Sequence, residues 1–584
     1  MSGPRRLRSR LRIGRPSRFS GFSRRDFLKR IGSAAGLAVA APLLSSCGDS
    51  PLADAGSATP PPGSGATVSP FKHGVASGDP LPNAVILWTR ATPVATEAIP
   101  VTVKVYRDTA LTQLVGSVSQ MATSARDWTI KIDFTGLATA TTYYFQFEAL
   151  GFKSVIGRTK TAPAAGAAVS RMRFGVVSCS SLAHGFFNAY RKLAERADLD
   201  VILHLGDYIY EYGTGEYGTA RAYEPANEIT TLADYRARHN QYKRTDTDLQ
   251  EVHRQTPFIT IWDDHETTDN SYTEGANNHT EGVEGVWTER KGFGQRAYDE
   301  WMPIRLPTPG DANKIWRNFG YGNLIEFVML DTRLYDRTLQ LGTPPLPPDN
   351  PADPTRTLIG PEQKQFLFDR LSSTTATWKF IGQQVMFGQL KVVGLPDLGQ
   401  LPVLGSPLSL IPIAGQGGQY LNSDQWDGYQ AERSDIFNYL SANSITNTVV
   451  LTGDIHTSWA MDLSPDPNNL LTYNPLTGAG SLGVEYVCTS VTSPGLDQLA
   501  PVQDALRINN PHMKYIDLAQ KGYMVFDVTP ERTVGEWWYV STIAEQGGTE
   551  SFGTAFPVNA GDNHLGAALA EPTAALATAP ALAP

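Results

Sequence analysis

The chain has 584 residues, a hydrophobic content of 41%, 18% charged residues and a formal net charge of −9. Such a length exceeds one core and predicts two or more domains, and the mild acidity gives no reason to expect binding to nucleic acid, other than as a substrate, or to an anionic membrane. With only Cys47, Cys179 and Cys488 present, a disulfide framework is excluded if Cys47 belongs to a leader, and Cys179 is then available as a thiolate ligand.

The first segment reads as an address. Basic residues dominate Met1–Arg30, and Ser23-Arg24-Arg25-Asp26-Phe27-Leu28-Lys29 precedes the apolar stretch Ile31–Leu44. Paired arginines ahead of a short apolar core resemble a twin-arginine export signal. That implies the twin-arginine machinery as a partner and a periplasmic or cell-surface destination. The stretch is shorter than the roughly 20 residues that span a bilayer, which argues against a permanent transmembrane helix. Leu44-Ser45-Ser46-Cys47 also resembles a lipoprotein cleavage box, which would lipidate Cys47 and give the only membrane attachment expected; an ordinary cleavage site nearby is the alternative. Residues 1–47 are thus leader, and residues 48–70, with Thr59-Pro60-Pro61-Pro62-Gly63, a flexible tether.

From Phe71 the pattern changes. Ala84–Thr89, Val101–Tyr106, Trp128–Phe134 and Thr142–Glu148 are short strands separated by turn residues, which predicts a small antiparallel sandwich over residues 71–163. Leu137 followed by Thr142-Tyr143-Tyr144 resembles the corner of a fibronectin-type or immunoglobulin-like domain. Over residues 171–545 strands alternate with helices. Ala183–Ala197, Thr231–Thr256 and Glu284–Trp301 are the expected helices, and Tyr321–Leu330, Thr377–Phe387, Thr446–Thr452, Gly522–Val528 and Thr533–Val540 the expected strands. The fold class is α/β, a two-sheet β-sandwich core flanked by helices, with the small all-β sandwich domain in front. Gly388–Gly418 is expected to be a long loop near the cleft; the Ala/Pro-rich tail, residues 553–584, has room for a short helix, and its end, Leu576–Pro584, is expected to be disordered.

Four buried-strand signals each run into metal-binding side chains. They are Phe174–Cys179, Val201–Asp207 with Tyr210 beyond it, Phe258–Glu266, and Val449–His456. In parallel sheets such strands deliver their C-terminal loops to one edge, so the donors should meet in one cleft. Asp207, on a turn after Gly206, could bridge two cations; Tyr210 is a hard anionic donor that favours Fe³⁺ over Zn²⁺ or Mg²⁺. Asp263, Asp264 and Asp454 add oxygen donors suited to Ca²⁺, Mn²⁺ or Mg²⁺, and Cys179 and His456 suit a transition metal. Singly, each has a plain alternative: Cys179 as a small core residue, His265 as a core histidine, Glu266 as an arginine partner. Their recurrence at four strand ends favours metal. His73, His184, His204, His512 and His564 lack such settings, although His184 is close to Cys179 in sequence.

Gly206-Asp207-x-x-Tyr210, Asp264-His265-Glu266 and Gly453-Asp454-x-His456 resemble a variant calcineurin-like metallophosphoesterase pattern, with Ser178-Cys179-Ser180 where that pattern opens on Asp-x-His. Together with Val75–Pro80, Trp262–Glu266, Leu330–Arg333 and Gly382–Met386, the set is similar to PhoD-type alkaline phosphatases. The resemblance implies Fe³⁺ held by Cys179, Tyr210, Asp207 and His456, with Ca²⁺ near Asp264 and Asp454. Asp269-Asn270 departs from the paired asparagines of that pattern, so Asn270 is the weaker candidate.

The implied activity is phosphoester hydrolysis by metal-activated hydroxide. Asp207 would be central to it, His265 would protonate the leaving group, and Arg333 would either grip phosphate or serve as a salt-bridge partner. A phospholipase D-like phosphodiesterase and a non-catalytic surface lipoprotein are the competing readings.

Overall fold

The computed structural model describes residues 68–93, 97–341, 350–392, 419–420 and 422–584. The leader, nearly all of the tether and most of the expected loop at Gly388–Gly418 lie outside the described residues, and within them no helix is long and apolar enough to cross a membrane.

Two large sheets form the α/β core. The first runs, edge to edge, Glu550–Asn559, Arg532–Val540, Gly522–Val528, Met172–Val177, Val201–His204, Phe258–Thr260, Val75–Leu81, Ala84–Arg90 and Thr129–Thr135. The second runs Arg317–Tyr321, Ile325–Met329, Trp378–Gly382, Thr448–Thr452, Gly483–Val487, Ser458–Leu463 and Met513–Asp517. At the centre of each, the strands are parallel and buried. This matches their near-continuous apolar sequence, which has no polar face to offer water. An aromatic cluster joins the sheets: Phe174 of the first meets Phe327 and Phe380 of the second edge-to-face at 5.0 and 5.2 Å between ring centroids. It also stacks on its neighbour Phe526 at 5.0 Å.

The front sandwich is less separate than its sequence implies. Its strands Val75–Leu81, Ala84–Arg90 and Thr129–Thr135 extend the first sheet, Gly78 pairing with Phe258 in parallel. Leu114–Ala122, Ile99–Tyr106, Thr142–Ala149, Phe152–Lys153 and Gly157–Lys160 form its second sheet. Val85, Leu87, Ile130 and Ile132 pack with Val101, Val103, Phe145 and Phe147 between the two. The extension covers a sheet edge that would otherwise present unpaired backbone groups. The corner read from Leu137 to Tyr144 is present: the Tyr143 hydroxyl accepts the Ala138 N–H at 2.8 Å.

The long helix expected over Thr231–Thr256 is two helices, Leu232–Thr245 and Thr247–Gln255. The break is chemical. Asp246 closes the first helix in an extended conformation and its Oδ1 accepts the Leu249 N–H at 2.9 Å, capping the second. The tail also departs from expectation. Beyond the edge strand Glu550–Asn559, Glu536 Oε1 accepts the Thr573 N–H at 2.8 Å and Asp198 Oδ2 the Leu576 N–H at 3.1 Å. The Gln255 amide exchanges two hydrogen bonds with Ala583, at 2.8 and 3.0 Å. A segment too poor in apolar groups for its own core can still be ordered when side chains of the body satisfy its backbone.

Candidate metal centre

The four strand ends do converge, three from the first sheet and the fourth, after Thr448–Thr452, from the second. Their ligand candidates share an uncommon backbone: φ is 61° at Cys179, 57° at Asp207, 53° at Asn270, 61° at Asp454 and 65° at His456. Left-handed backbone at non-glycine residues costs about 1–3 kcal/mol each and collects at functional sites. Gly206 is required by close approach, since a Cβ there would lie 2.5 Å from both the Asp263 Cβ and its backbone nitrogen. The loops are stitched together: Cys179 N–H donates to the Gly206 carbonyl at 3.0 Å and Ser180 N–H to that of Asp207 at 2.8 Å. Glu266, expected to pair with an arginine, instead accepts backbone N–H groups of Asp207, Tyr208 and Asp263 at 3.0, 2.7 and 2.9 Å. Burial and the nearby Asp207 push its carboxyl up to about 8.

On one side, donor atoms of Cys179, Asp207 and His456 lie within 4.8 Å of one another. Tyr210 joins them: its hydroxyl donates to Asp207 Oδ2 at 2.9 Å and is 3.3 Å from His456 Nε2. Ser493 donates to the same phenol oxygen at 2.6 Å. The His456 Nδ1–H donates to the Pro494 carbonyl at 2.9 Å. That bond fixes the tautomer and leaves Nε2 with its lone pair toward the group, as a metal-binding histidine needs.

On the other side, Asp263, Asp264 and Asp454 form a second such group. Arg333 stands among them, fully buried. Its Nε donates to Asp263 Oδ1, Nη1 to Asp424 Oδ2 at 2.8 Å and Nη2 to Asp454 Oδ1 at 2.5 Å, with Asp264 Oδ2 at 3.8 Å. Of the two roles open to Arg333, the structure has the salt-bridge partner, because every nitrogen of its fork is already engaged. Arg337 donates to Asp424 as well. Four buried carboxylates therefore face two guanidinium groups. Burial pushes the Asp263 carboxyl well above the usual range; Arg333 opposes this, and Asp264, Asp207 and Asp454 add to it. Uncompensated buried charge of this kind is stable when a cation shares the site. The donors present therefore fit a thiolate–phenolate–imidazole ion beside one bound by oxygen.

Asp207, Asp264 and His265 make the third group, so Asp207 belongs to two of them, as a bridge would. His265 Nδ1–H donates to Glu211 Oε2 at 2.6 Å, which leaves Nε2 as its other ring nitrogen. Burial works against a charged His265, but Glu211, Asp264 and Asp207 outweigh it and raise its pKa well above the usual value. The His265 ring lies against Tyr210, centroids 4.3 Å apart. Asn270 meets the site through its backbone, whose N–H donates to Asp264 Oδ2 at 2.7 Å.

The profile of PhoD-like phosphatases matches residues 174–537, and that of their N-terminal domain matches residues 57–163. The chain belongs to the PhoD-like phosphatase family. Alkaline phosphatase D of Bacillus subtilis (strain 168) is 35% identical over 552 residues, covering 92% of this chain and 87% of that protein. A solved structure of PhoD is 33% identical, with a TM-score of 0.75 over 86% of this chain and 93% of that one. This PhoD-like chain is a phosphoester hydrolase, with the α/β fold and N-terminal domain that its sequence implies.

Sequence reading missed several residues of the site. Glu211 directly follows Tyr210, and its adjacency to a ligand candidate was a usable signal. Ser493 and Pro494 follow the strand Gly483–Val487; the strand-end rule, applied to a fifth strand, finds them. Asp424 carries no motif, and only the fold brings it to Arg333.

Proposed function

We propose that this chain is an exported, metal-dependent alkaline phosphatase that hydrolyses phosphomonoesters and, as a second class, phosphodiesters. The observation that carries the reading is the thiolate, phenolate and imidazole group sharing Asp207 with a cluster of buried carboxylates. Cys179, Asp207, Tyr210 and His456 would hold Fe³⁺. Asp264 and Asp454, with Asp263 and Asn270 as further candidates, would hold Ca²⁺, for which Mn²⁺ or Mg²⁺ could substitute. When bound, such ions neutralise phosphate charge and make water a nucleophile at moderate pH.

The chain's own residues supply orientation and a proton. His265 is oriented by Glu211 at Nδ1, and Glu211, Asp264 and Asp207 favour its charged ring against the cost of burial. It presents Nε2 as the donor to the departing alkoxide. Glu266 holds the loops that carry Asp207 and Asp263 in register, so the donors are set before substrate arrives. Arg333 restrains Asp263, Asp424 and Asp454, and its charge limits their mutual repulsion. The twin-arginine leader supports export, with Cys47 as a lipid anchor where the cleavage box is used.

Hydrolysis of p-nitrophenyl phosphate and phosphatidylcholine, measured side by side before and after chelation, tests the reading. Chelator-sensitive turnover of p-nitrophenyl phosphate is expected. Turnover of phosphatidylcholine alone would assign a phospholipase D-like phosphodiesterase, and turnover indifferent to metal would refute the proposal.

A further inference from the structure

Among the described residues, three tyrosine rings pack against the ring of His265. Their centroids lie 4.3 Å away for Tyr210, 5.4 Å for Tyr212 and 6.2 Å for Tyr217. Tyr210 is buried, as are Cys179, Asp207, His265 and His456, whereas Tyr212 and Tyr217 are only half-buried. Of the rings on the acid, these two are the ones that reach solvent. Tyr217 also stacks on Tyr210 at 5.5 Å and meets Tyr212 at 4.8 Å. One ring thus touches both a ligand candidate and the proton donor while part of it stays in water.

Both tyrosines belong to one loop, Tyr212-Gly213-Thr214-Gly215-Glu216-Tyr217-Gly218, which directly follows Glu211 and has no part in the chemistry above. The loop is pinned along its length. Gly213 N–H donates to Glu216 Oε2 at 2.9 Å, Thr214 N–H to the Ala226 carbonyl at 2.7 Å and Ala220 N–H to the Ala183 carbonyl at 2.8 Å. Gly218 has a φ of 136°, and a Cβ there would lie 2.7 Å from the Ala183 carbonyl oxygen and 3.0 Å from the His184 ring. The glycine lets the loop close on His184, whose ring meets Tyr217 edge-on at 4.6 Å. Rings fixed before a ligand arrives lose little freedom when it binds.

A phosphate ester has a charged phosphoryl group, whose place is at the donor cluster, and an alcohol portion that needs neither ion nor charge. The alcohol oxygen has to come within reach of His265 to be protonated, so the carbon it carries lies beside the rings that flank His265. A half-exposed phenol offers that carbon skeleton an aromatic face. We propose that Tyr217, with Tyr212 beside it, is a specificity wall that receives the alcohol portion of the ester and favours flat aromatic alcohols over acyclic polyols. The assignment rests on the phosphatase reading above and extends it to the class of leaving group.

Tyr217→Leu, Tyr212→Leu and Tyr217→Phe, compared with wild type on naphthyl phosphate and glycerol phosphate, test it, with metal content measured on each protein. Both substrates are monoesters with the same phosphoryl group, so the ratio of the two losses reports the alcohol side. An aromatic pair contributes roughly 2–10-fold beyond its buried area, and each Leu variant should lose about that factor in kcat/KM on the naphthyl ester, through KM more than kcat. Glycerol phosphate should change less than about 2-fold, and Tyr217→Phe, which keeps the ring, should keep the wild-type preference. Inhibition by phenylphosphonate should weaken in step with the naphthyl ester, and inhibition by methylphosphonate should not. If Tyr217→Leu fails to fold or loses metal through its contact with Tyr210, Tyr212→Leu and Tyr217→Phe decide. Equal losses on both esters, a preference unchanged in the Leu variants, or a preference lost in Tyr217→Phe would overturn the assignment while leaving the phosphatase reading intact. A wild-type protein that hydrolyses neither ester would overturn both.

Discussion

Replacing Glu211 by Gln isolates the orientation of the proton donor. Glu211 Oε2 takes the His265 Nδ1–H at 2.6 Å, while Oε1 accepts the Asp269 N–H at 2.8 Å and the Thr268 hydroxyl at 3.2 Å. The amide retains the shape of the carboxylate and most of these contacts but removes the charge that favours protonated His265. A hydrogen bond to an ionised partner contributes about 1.5–3 kcal/mol, and at 1.36 kcal/mol per decade Glu211→Gln should lower kcat on an alkyl phosphate roughly 10–100-fold. His265→Asn removes the donor itself, and general acids contribute about 10²–10⁴-fold. Because Glu211 acts through His265, the double variant should be no slower than His265→Asn alone, a complete failure of additivity. All three losses should shrink on p-nitrophenyl phosphate, whose leaving group departs with little protonation. Steady-state rates on both esters, with metal content determined in parallel, check this. Additive losses, equal losses on the two esters, or metal lost from His265→Asn would show that His265 is a ligand or a positioning group and not the acid.

Thiolate and phenolate donors on Fe³⁺ give charge-transfer absorption, so protein purified without chelator should be coloured; a colourless protein with stoichiometric Zn²⁺ would refute the iron assignment. Asp207→Asn, at the atom set shared by two donor groups, should reduce metal occupancy together with activity, and full occupancy by elemental analysis would remove the bridging role. Asp424→Ala leaves Arg333 and Arg337 without a shared carboxylate. Breaking a buried pair by removing one partner costs about 3–5 kcal/mol, and a wild-type midpoint in urea would refute that ledger. Truncation after Gly561 removes the tail contacts to Glu536, Asp198 and Gln255. Each lost hydrogen bond is worth about 0.5–1.5 kcal/mol, so Tm should fall; an unchanged Tm would mean that the tail contributes nothing to the body.

The strands Gly522–Val528 and Thr448–Thr452 are legible in the chain because a buried parallel strand must be apolar throughout. Cys179, Asp207, Tyr210, Asp264, Asp454 and His456 are legible because the chemistry of a metal donor is local to its side chain, and a strand end announces where it will be delivered. What each charged group pairs with is not local. Arg333 could have gripped phosphate or closed ion pairs, and only the meeting of two sheets, with Asp424 arriving from a segment without any motif, made it the partner of four carboxylates. The same holds for Glu266, committed to three backbone amides, and for the tail, whose backbone finds acceptors and donors on Glu536, Asp198 and Gln255. A side chain carries its donor type wherever it goes, but its charge balance depends on neighbours far away in sequence, and folding alone assembles those neighbours.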